Sequence, residues 1–542
     1  MGKYTKKADI IIKNGIVTDG SGTPSYYADV AICGDKIDYI GNLKDTSASL
    51  IIDAEGKYVT PGFIDSHTHS DQTIWANPEC QSAVRQGVTT EIVGNCGFSM
   101  RNGLTHFDEK GKSVKCVYDM VGKKDIPKGA MAAVIEKAET MGASLNTAWF
   151  CGHNDLRVIA GISAEEYTKE QFRKMADFLT EALEAGFIGL STGLEFDPGI
   201  MSRPEEVERL AEIVACYDGH YSSHIRDEGT YLFEAIEEFL NVVRKTGVRG
   251  TLSHLNVKYD NGIPNEYLYK GMQMLKDARE NEHLNVYADM LPTCFATGTA
   301  QAMLPPWLYK DGWDEAKKIL KTTEGRENVK KDMNRYWRFL FNGQWDRLLG
   351  IKAYYLPETL KLSFEELVKK WNKPPVDCFL DVFLAAPTIE DARSVTMQGT
   401  VFYEQTMIDS VVKDPIYLWM TDSSVALEVG ELALDNMQHY MSMTHFFARY
   451  VRELKAISFE EAVCKATYRP ATHYKLKNRG LIKEGFFADI NVFDLDNLKI
   501  NATFSEPCKY SEGMDYVIVN GVPVIEKGEH SGKRVGRVLK NI

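Results

Sequence analysis

Residues 60–70 read TPGFIDSHTHS, in which a strand-like apolar run, 62–66, delivers His67 and His69 two residues apart. At the period of a strand, side chains two apart point the same way. Two imidazoles on one face suit a divalent transition metal, because neutral imidazole is the common side-chain ligand for zinc. An isolated HxH also occurs as a pair of structural or surface histidines, so its meaning depends on what other segments bring.

Working outward, the next apolar strand, 91–93, ends in Gly94-Asn95-Cys96-Gly97, with Cys96 just past it. The bland alternative for Cys96 is a small buried residue in a turn. Further strand ends supply His224 in YSSHIRDEG (221–229) and His254 in TLSHLN (251–256), and an apolar strand in 416–424, IYLWMTDSS, ends in Asp422. Asp422 would equally suit a helix N-cap. These strands alternate with helical stretches: 147–151 follows 131–141, 188–191 follows 171–185, 221–224 follows 204–216, and 250–254 follows 231–246. Such βα alternation predicts a parallel sheet. Four or more units in one run, with neither GxGxxG nor GxxxxGK[ST], favour a closed (β/α)8 barrel, whose active site lies at the carboxyl ends of its strands. Four histidines and a cysteine at successive strand ends are hard to explain by packing. Hydrolysis at a metal needs a cation to lower the pKa of water and a base to move its proton, the role open to Asp422. His153 also follows a strand, where lining the pocket and supporting a ligand are both open to it.

The two chain ends share a different texture. Short β-branched runs split by turn signals fill residues 8–60 and return at 488–494 and 516–524, which predicts one small all-β unit built from both termini. The expected division is residues 1–61 plus 480–542 for a β-sandwich and 62–479 for the barrel. An insertion or lid at about 305–413 carries amphipathic Lys/Glu-rich stretches and several Trp. Of 542 residues, Lys and Arg number 63 against 76 Asp and Glu, a net charge of −13 that argues against nucleic-acid binding. Hydrophobic residues at 44% and charged residues at 26% are the proportions of a globular protein. No run approaches the 18 apolar residues of a membrane span and no signal peptide is read. With ten cysteines and no CxxC pair, free thiols and a cytoplasmic location are expected.

The chain resembles the amidohydrolase superfamily and, within it, the N-acyl-D-amino-acid deacylase (D-aminoacylase) group. The resemblance rests on VTPGFIDSHTHSD (59–71), GVTTEIVGNCGFS (87–99), GLSTGLEFDPG (189–199), SSHIRDEG (222–229), SHL (253–255), RGLIKEGFFADINVFD (479–494) and VNGVPVIEKGEHSGKRVGRVL (519–539). It implies a metal-dependent barrel with a β-sandwich formed by both termini. It further implies that His67 and His69 form one metal position, and that Cys96 is a ligand or bridge where other members use a carbamylated lysine. His224 and His254 would hold the tighter zinc with Cys96, and Asp422 would be the catalytic carboxylate. The implied cofactor is Zn2+, one or two ions per subunit, with other divalent transition metals open. A coordinating thiol is deprotonated, which makes the bridge chemically sound.

The departures from the group fall where substrate is read. Asp422-Ser423-Ser424 stands for SDG, Leu291-Pro292-Thr293 for Tyr-Pro-Tyr, Asn256 for a lysine, and His439-Tyr440-Met441 for His-Pro-Arg. In the relatives the lost Tyr, Lys and Arg are expected to hold the substrate α-carboxylate. Here Asn256, Leu291, Met441 and Arg226 are the expected substrate contacts, and Arg226, Lys258 or Arg449 could restore the missing charge. The leading expectation is a zinc-dependent hydrolase of an amide or cyclic amide other than an ordinary N-acyl-D-amino acid. N-acyl-D-amino-acid deacylation proper, opening of a lactone or cyclic 1,3-dicarbonyl, and a catalytically silent ligand-binding barrel stay open. The expected partner is a small-molecule substrate, with no nucleic acid and no membrane; homo-oligomerisation stays open.

Overall fold

The computed structural model describes residues 7–44, 46–99, 106–107, 113–114, 129–257, 266–336, 344–353, 355–401, 403–426, 436–504 and 506–541. Eight strands follow one another around a parallel sheet: β1 (Phe63–Asp65), β2 (Val88–Val93), β3 (Asn146–Gly152), β4 (Gly189–Gly193), β5 (His220–His224), β6 (Arg249–Leu252), β7 (Val286–Met290) and β8 (Tyr417–Trp419). The first and last meet through Ser66, whose backbone N–H and hydroxyl both donate to the Trp419 carbonyl, at 3.3 and 2.7 Å. A parallel bridge between Thr68 and Ser423 lies just beyond. The result is a nearly closed (β/α)8 barrel.

The helices around it form for readable reasons. Residues Lys169–Ala185 begin with a reciprocal capping box between Thr168 and Gln171 and stop at Gly186, which takes a left-handed φ of 108°. Residues Pro204–Cys216 open with proline in the first turn, followed by Glu205 and Glu206, and bury Val207, Leu210, Ala211 and Val214 at helical spacing. Both faces of each barrel strand are covered, one by this helical ring and one by side chains that fill the barrel interior, Ile64, Ile92, Ala148, Phe150 and Leu418 among them. β2, β3, β4 and β5 are accordingly buried at every position.

A second, nine-stranded sheet joins the chain ends. Tyr58–Pro61 pairs antiparallel with Ile490–Phe493, and Ala8–Val17 pairs parallel with Tyr58–Pro61. Along Ala8–Val17, Ile10 and Ile12 enter one apolar cluster and Ile11 another, so alternation buries both faces. The βα rhythm breaks after β7. The irregular run expected over 305–413 belongs to a longer excursion, 291–416, which carries a three-stranded antiparallel sheet (Phe295–Thr299, Gly350–Lys352, Thr396–Val401) and several helices. Among the described residues no helix is long and apolar enough to cross a membrane.

Candidate metal centre

The carboxyl ends of the barrel strands bring His67, His69, Cys96, His224 and His254 together. His67 Nε2 lies 3.3 Å and His254 Nε2 3.5 Å from Cys96 Sγ. The rings of His224 and His254 are 4.4 Å apart between centroids, and those of His67 and His69 5.4 Å. Two groups of donors result, His67/His69/Cys96 and Cys96/His224/His254, each with ligand atoms within 4.8 Å of one another. Cys96 belongs to both.

Local backbone geometry makes this convergence. Cys96, His254 and Asp422 all sit in the left-handed region, with φ of 52°, 36° and 49°. Non-glycine residues rarely adopt it, and such strain gathers where surrounding structure imposes a geometry. Gly193 lets the Cys96 loop settle on the end of β4, since a side chain there would run into the Cys96 carbonyl.

Electrostatics follow from the same crowding. Burial opposes ionisation of Cys96, yet the His67, His224 and His254 imidazoles hold its thiol well below the ordinary range. Burial likewise opposes a charged His67, but Cys96 and Asp289 raise its pKa to about 9. Asp422 lies 3.1 Å from His69 Nε2 and 3.5 Å from His67 Nε2. Despite burial, those rings and that of His254 keep its carboxyl below the usual carboxylate value. On the inner side of the cluster the imidazoles therefore favour negative charge on the Cys96 sulfur and on Asp422.

A layer of carboxylates stands behind the rings. Glu228 Oε1 accepts from His254 Nδ1, Glu195 Oε2 from His224 Nε2 at 2.9 Å, and Asp289 Oδ2 from His67 Nδ1 at 3.2 Å. Gln438 Nε2 donates to the carbonyls of Thr421 and Asp422, fixing the Asp422 turn. His439 Nδ1 accepts the Ser424 backbone N–H at 2.9 Å, so the neutral ring carries its proton on Nε2. Burial lowers that histidine to about 4 and keeps it neutral.

This donor set fits a divalent transition metal. Imidazole nitrogen and thiolate sulfur are the ligands of zinc and its neighbours, whereas magnesium and calcium prefer oxygen. The buried Nδ1 atoms of His69 and His224 have no hydrogen-bond partner, unusual for interior polar atoms. A cavity of about 190 Å³ opens onto the cluster. Its wall includes Phe98, Glu195, Phe196, Glu228, Tyr403, Asp422 and His439, together with Ala296–Thr299, Thr396 and Met397 from the excursion between β7 and β8. Among the described residues no lysine or arginine lines it.

All six residues expected to carry the chemistry thus meet, whereas the four expected substrate contacts do not line this cavity. Leu291 is in the main core and Met441 in a smaller apolar cluster with Phe295 and Tyr440, because both are apolar. Asn256 is buried, and its side-chain oxygen accepts the Val257 N–H. Arg226 is satisfied by Glu238 and by the carbonyls of Ile200 and Ser202. Arg449 pairs with Asp409 at 2.6 Å, and Lys258 lies outside the described residues. His153 is buried against Glu206, 2.7 Å away, and is not part of the wall. Sequence reasoning missed Glu195, Glu228 and Asp289. For Asp289 a signal existed, a carboxylate inside the strand VYADM; for Glu195 and Glu228 only their place in quoted motifs.

Known proteins of similar sequence and fold exist. The amidohydrolase family model matches residues 50–224 and 433–525. An N-acyl-D-glutamate deacylase of Alcaligenes xylosoxydans xylosoxydans is 29% identical over 544 residues, covering 99% of this chain and 97% of its own. The structure of N-acyl-D-glutamate deacylase from Bordetella bronchiseptica, complexed with zinc and a phosphonate mimic of the tetrahedral intermediate, is similar with a TM-score of 0.78 and 25% identity, covering 99% of this chain and 100% of that one. A D-aminoacylase described by a binuclear metal centre, with one-metal activation and second-metal attenuation, has the same fold at a TM-score of 0.78 and 24% identity, covering 98% and 100%.

Proposed function

The chain belongs to the amidohydrolase superfamily, within its D-aminoacylase group, and from that premise we propose a zinc-dependent hydrolase that cleaves the C–N bond of an uncharged acyclic or cyclic amide. The carrying observation is the shared thiol: Cys96 stands between two histidine pairs while Asp422 faces His67 and His69. In this reading His67, His69 and Cys96 hold one metal position, and Cys96, His224 and His254 the other. Zinc bound there supplies Lewis-acid polarisation of the scissile carbonyl and a lowered pKa for the attacking water.

The chain's own residues do the rest. Asp422, kept ionised by its imidazole neighbours, takes the proton of the attacking water and delivers it to the leaving nitrogen. Glu195, Glu228 and Asp289 orient His224, His254 and His67, so that substrate arrives at a fixed geometry. His439 adds a neutral N–H donor to the wall, suited to a carbonyl oxygen.

The wall supports an uncharged substrate. A carboxylate inside such a pocket needs a cationic partner, because an uncompensated buried charge is very costly. Beyond His69, Cys96, His224, His254 and His439, the described wall offers aromatic, small and hydroxyl side chains with Glu195, Glu228 and Asp422, and no lysine or arginine. The competing reading, N-acyl-D-amino-acid deacylation, draws on the 29% identity along almost the whole chain and needs a cation from elsewhere, such as Lys258. Turnover of the zinc-loaded protein on N-acetyl-D-amino acids, their carboxamides, cyclic amides, lactones and cyclic diketones separates the two. Uncharged amides should lead the panel. Hydrolysis of an N-acetyl-D-amino acid with kcat/KM above about 10⁴ M⁻¹s⁻¹, the low end of ordinary enzyme efficiency, would establish the competing reading.

A further inference from the structure

Asp289 ends near the carboxyl edge of β7, is fully buried, and touches both halves of the cluster. Its Oδ2 accepts from His67 Nδ1 at 3.2 Å, and its Oδ1 accepts the backbone N–H of His254. Its main-chain carbonyl accepts the next N–H, that of Leu255, at 3.1 Å. His67 and His254 come from different donor groups, yet both turn Nε2 toward Cys96 Sγ, at 3.3 and 3.5 Å.

We propose that Asp289 is a positioning residue that sets both metal positions at once, through the ring of His67 and through the backbone of His254. The inference rests on the metal-centre reading above. At His67 an acceptor on Nδ1 holds the ring in one orientation and leaves Nε2 as the atom turned toward Cys96. At His254 the ring is already fixed by Glu228 on Nδ1, so Asp289 acts on the main chain instead. It satisfies the N–H of a residue at φ 36°, holding a turn that an unaided backbone would leave. One carboxylate thus serves two donors of different kinds, a ring nitrogen and a main-chain N–H.

That difference yields an asymmetric test. In Asp289→Asn one acceptor becomes an NH₂ donor. The His254 backbone N–H cannot adapt, so it keeps the remaining oxygen. His67 then meets the NH₂ and loses the acceptor that oriented its ring. Purified full-length chain, stripped of metal and titrated with zinc and separately with cobalt, is the experiment. Asp289→Asn should weaken the His67/His69/Cys96 position by about 10–100-fold, the usual effect of losing a ligand's hydrogen-bond partner, while Cys96/His224/His254 keeps wild-type affinity. Asp289→Ala, which abandons both donors, should weaken both positions. Melting of the metal-free proteins separates positioning from a merely structural role, which would lower the melting temperature with metal affinity unchanged.

A measurement without substitution at Asp289 guards against misfolding of the variants. In ¹⁵N-histidine-labelled, zinc-loaded protein, the signal lost in His67→Gln should belong to a ring with its proton on Nδ1. An Nε2–H tautomer at His67, or an Asp289→Asn protein with both positions at wild-type affinity, overturns the inference. A wild-type chain that takes up no zinc overturns the metal-centre reading itself, and that result looks different from either.

Discussion

Replacing Asp422 with asparagine isolates the proton-transfer step. The substitution preserves shape, and asparagine is among the residues that best tolerate the left-handed φ of 49° found there. The turn is held by main-chain contacts that survive: the Asp422 N–H donates to the His67 carbonyl at 3.1 Å, and Gln438 donates to the Asp422 carbonyl at 3.1 Å. What disappears is the negative charge 3.1 Å from His69 Nε2 and 3.5 Å from His67 Nε2, and with it the base. Losing a general acid/base typically costs 10²–10⁴ in rate, about 2.7–5.5 kcal/mol of barrier at 1.36 kcal/mol per tenfold. Asp422→Asn should therefore keep its fold and zinc content and lose kcat by at least about 10² on the best substrate of the panel. The assay is steady-state turnover with metal analysis on the same sample. Unchanged kcat removes Asp422 from the mechanism, and loss of metal together with kcat makes it a ligand first.

Cys96→Ala should lower zinc content, because both donor groups share its sulfur, while Cys33→Ala and Cys508→Ala leave it unchanged; metal analysis of the three variants decides. Glu206→Ala should destabilise the fold by roughly 3–5 kcal/mol, the usual result of stripping one partner from a buried ion pair, since Arg157 and His153 meet Glu206 with no solvent access. Zinc content of the folded fraction should not change, which chemical denaturation paired with metal analysis would show. Lys465 is buried with Nζ donating to the carbonyls of Val412 and Asp414, and burial pushes it down to about 7. An unfolded lysine titrates near 10.4, so between about pH 7 and 10 the unfolded chain binds the extra proton and this group makes stability rise with pH. Lys465→Met removes that slope. Urea melts at pH 7, 8 and 9 should show the wild type gaining on the variant, and a constant gap would contradict a depressed Lys465.

The barrel and the side chains that meet at its mouth were legible from local pattern. Strand-to-helix alternation is written in the period of apolar residues, and side chains able to ligate a metal are few in kind and fall here at strand ends, so the convergence of His67, His69, Cys96, His224, His254 and Asp422 could be expected from the sequence. The pairing of the chain ends was legible for the same reason, since 8–60 and 488–524 carry strand and turn signals of one type.

What tertiary structure alone decided are relations between residues far apart in the chain. Asp289 reaches His67 across 222 positions, and no spacing rule reports which buried carboxylate will find which ring. The expected substrate contacts do not line the described cavity, for the converse reason. Leu291 and Met441 were located by their place in a motif, but apolar side chains follow the nearest core, and Arg226 follows the nearest carboxylate, Glu238. One side of the cavity wall comes from the excursion between β7 and β8, whose strands Phe295–Thr299 and Thr396–Val401 are about a hundred residues apart and meet through their pairing. Local sequence sets the period of an element and the donors at its ends; which side chains share a wall depends on how distant segments pack, and that is settled by three-dimensional burial.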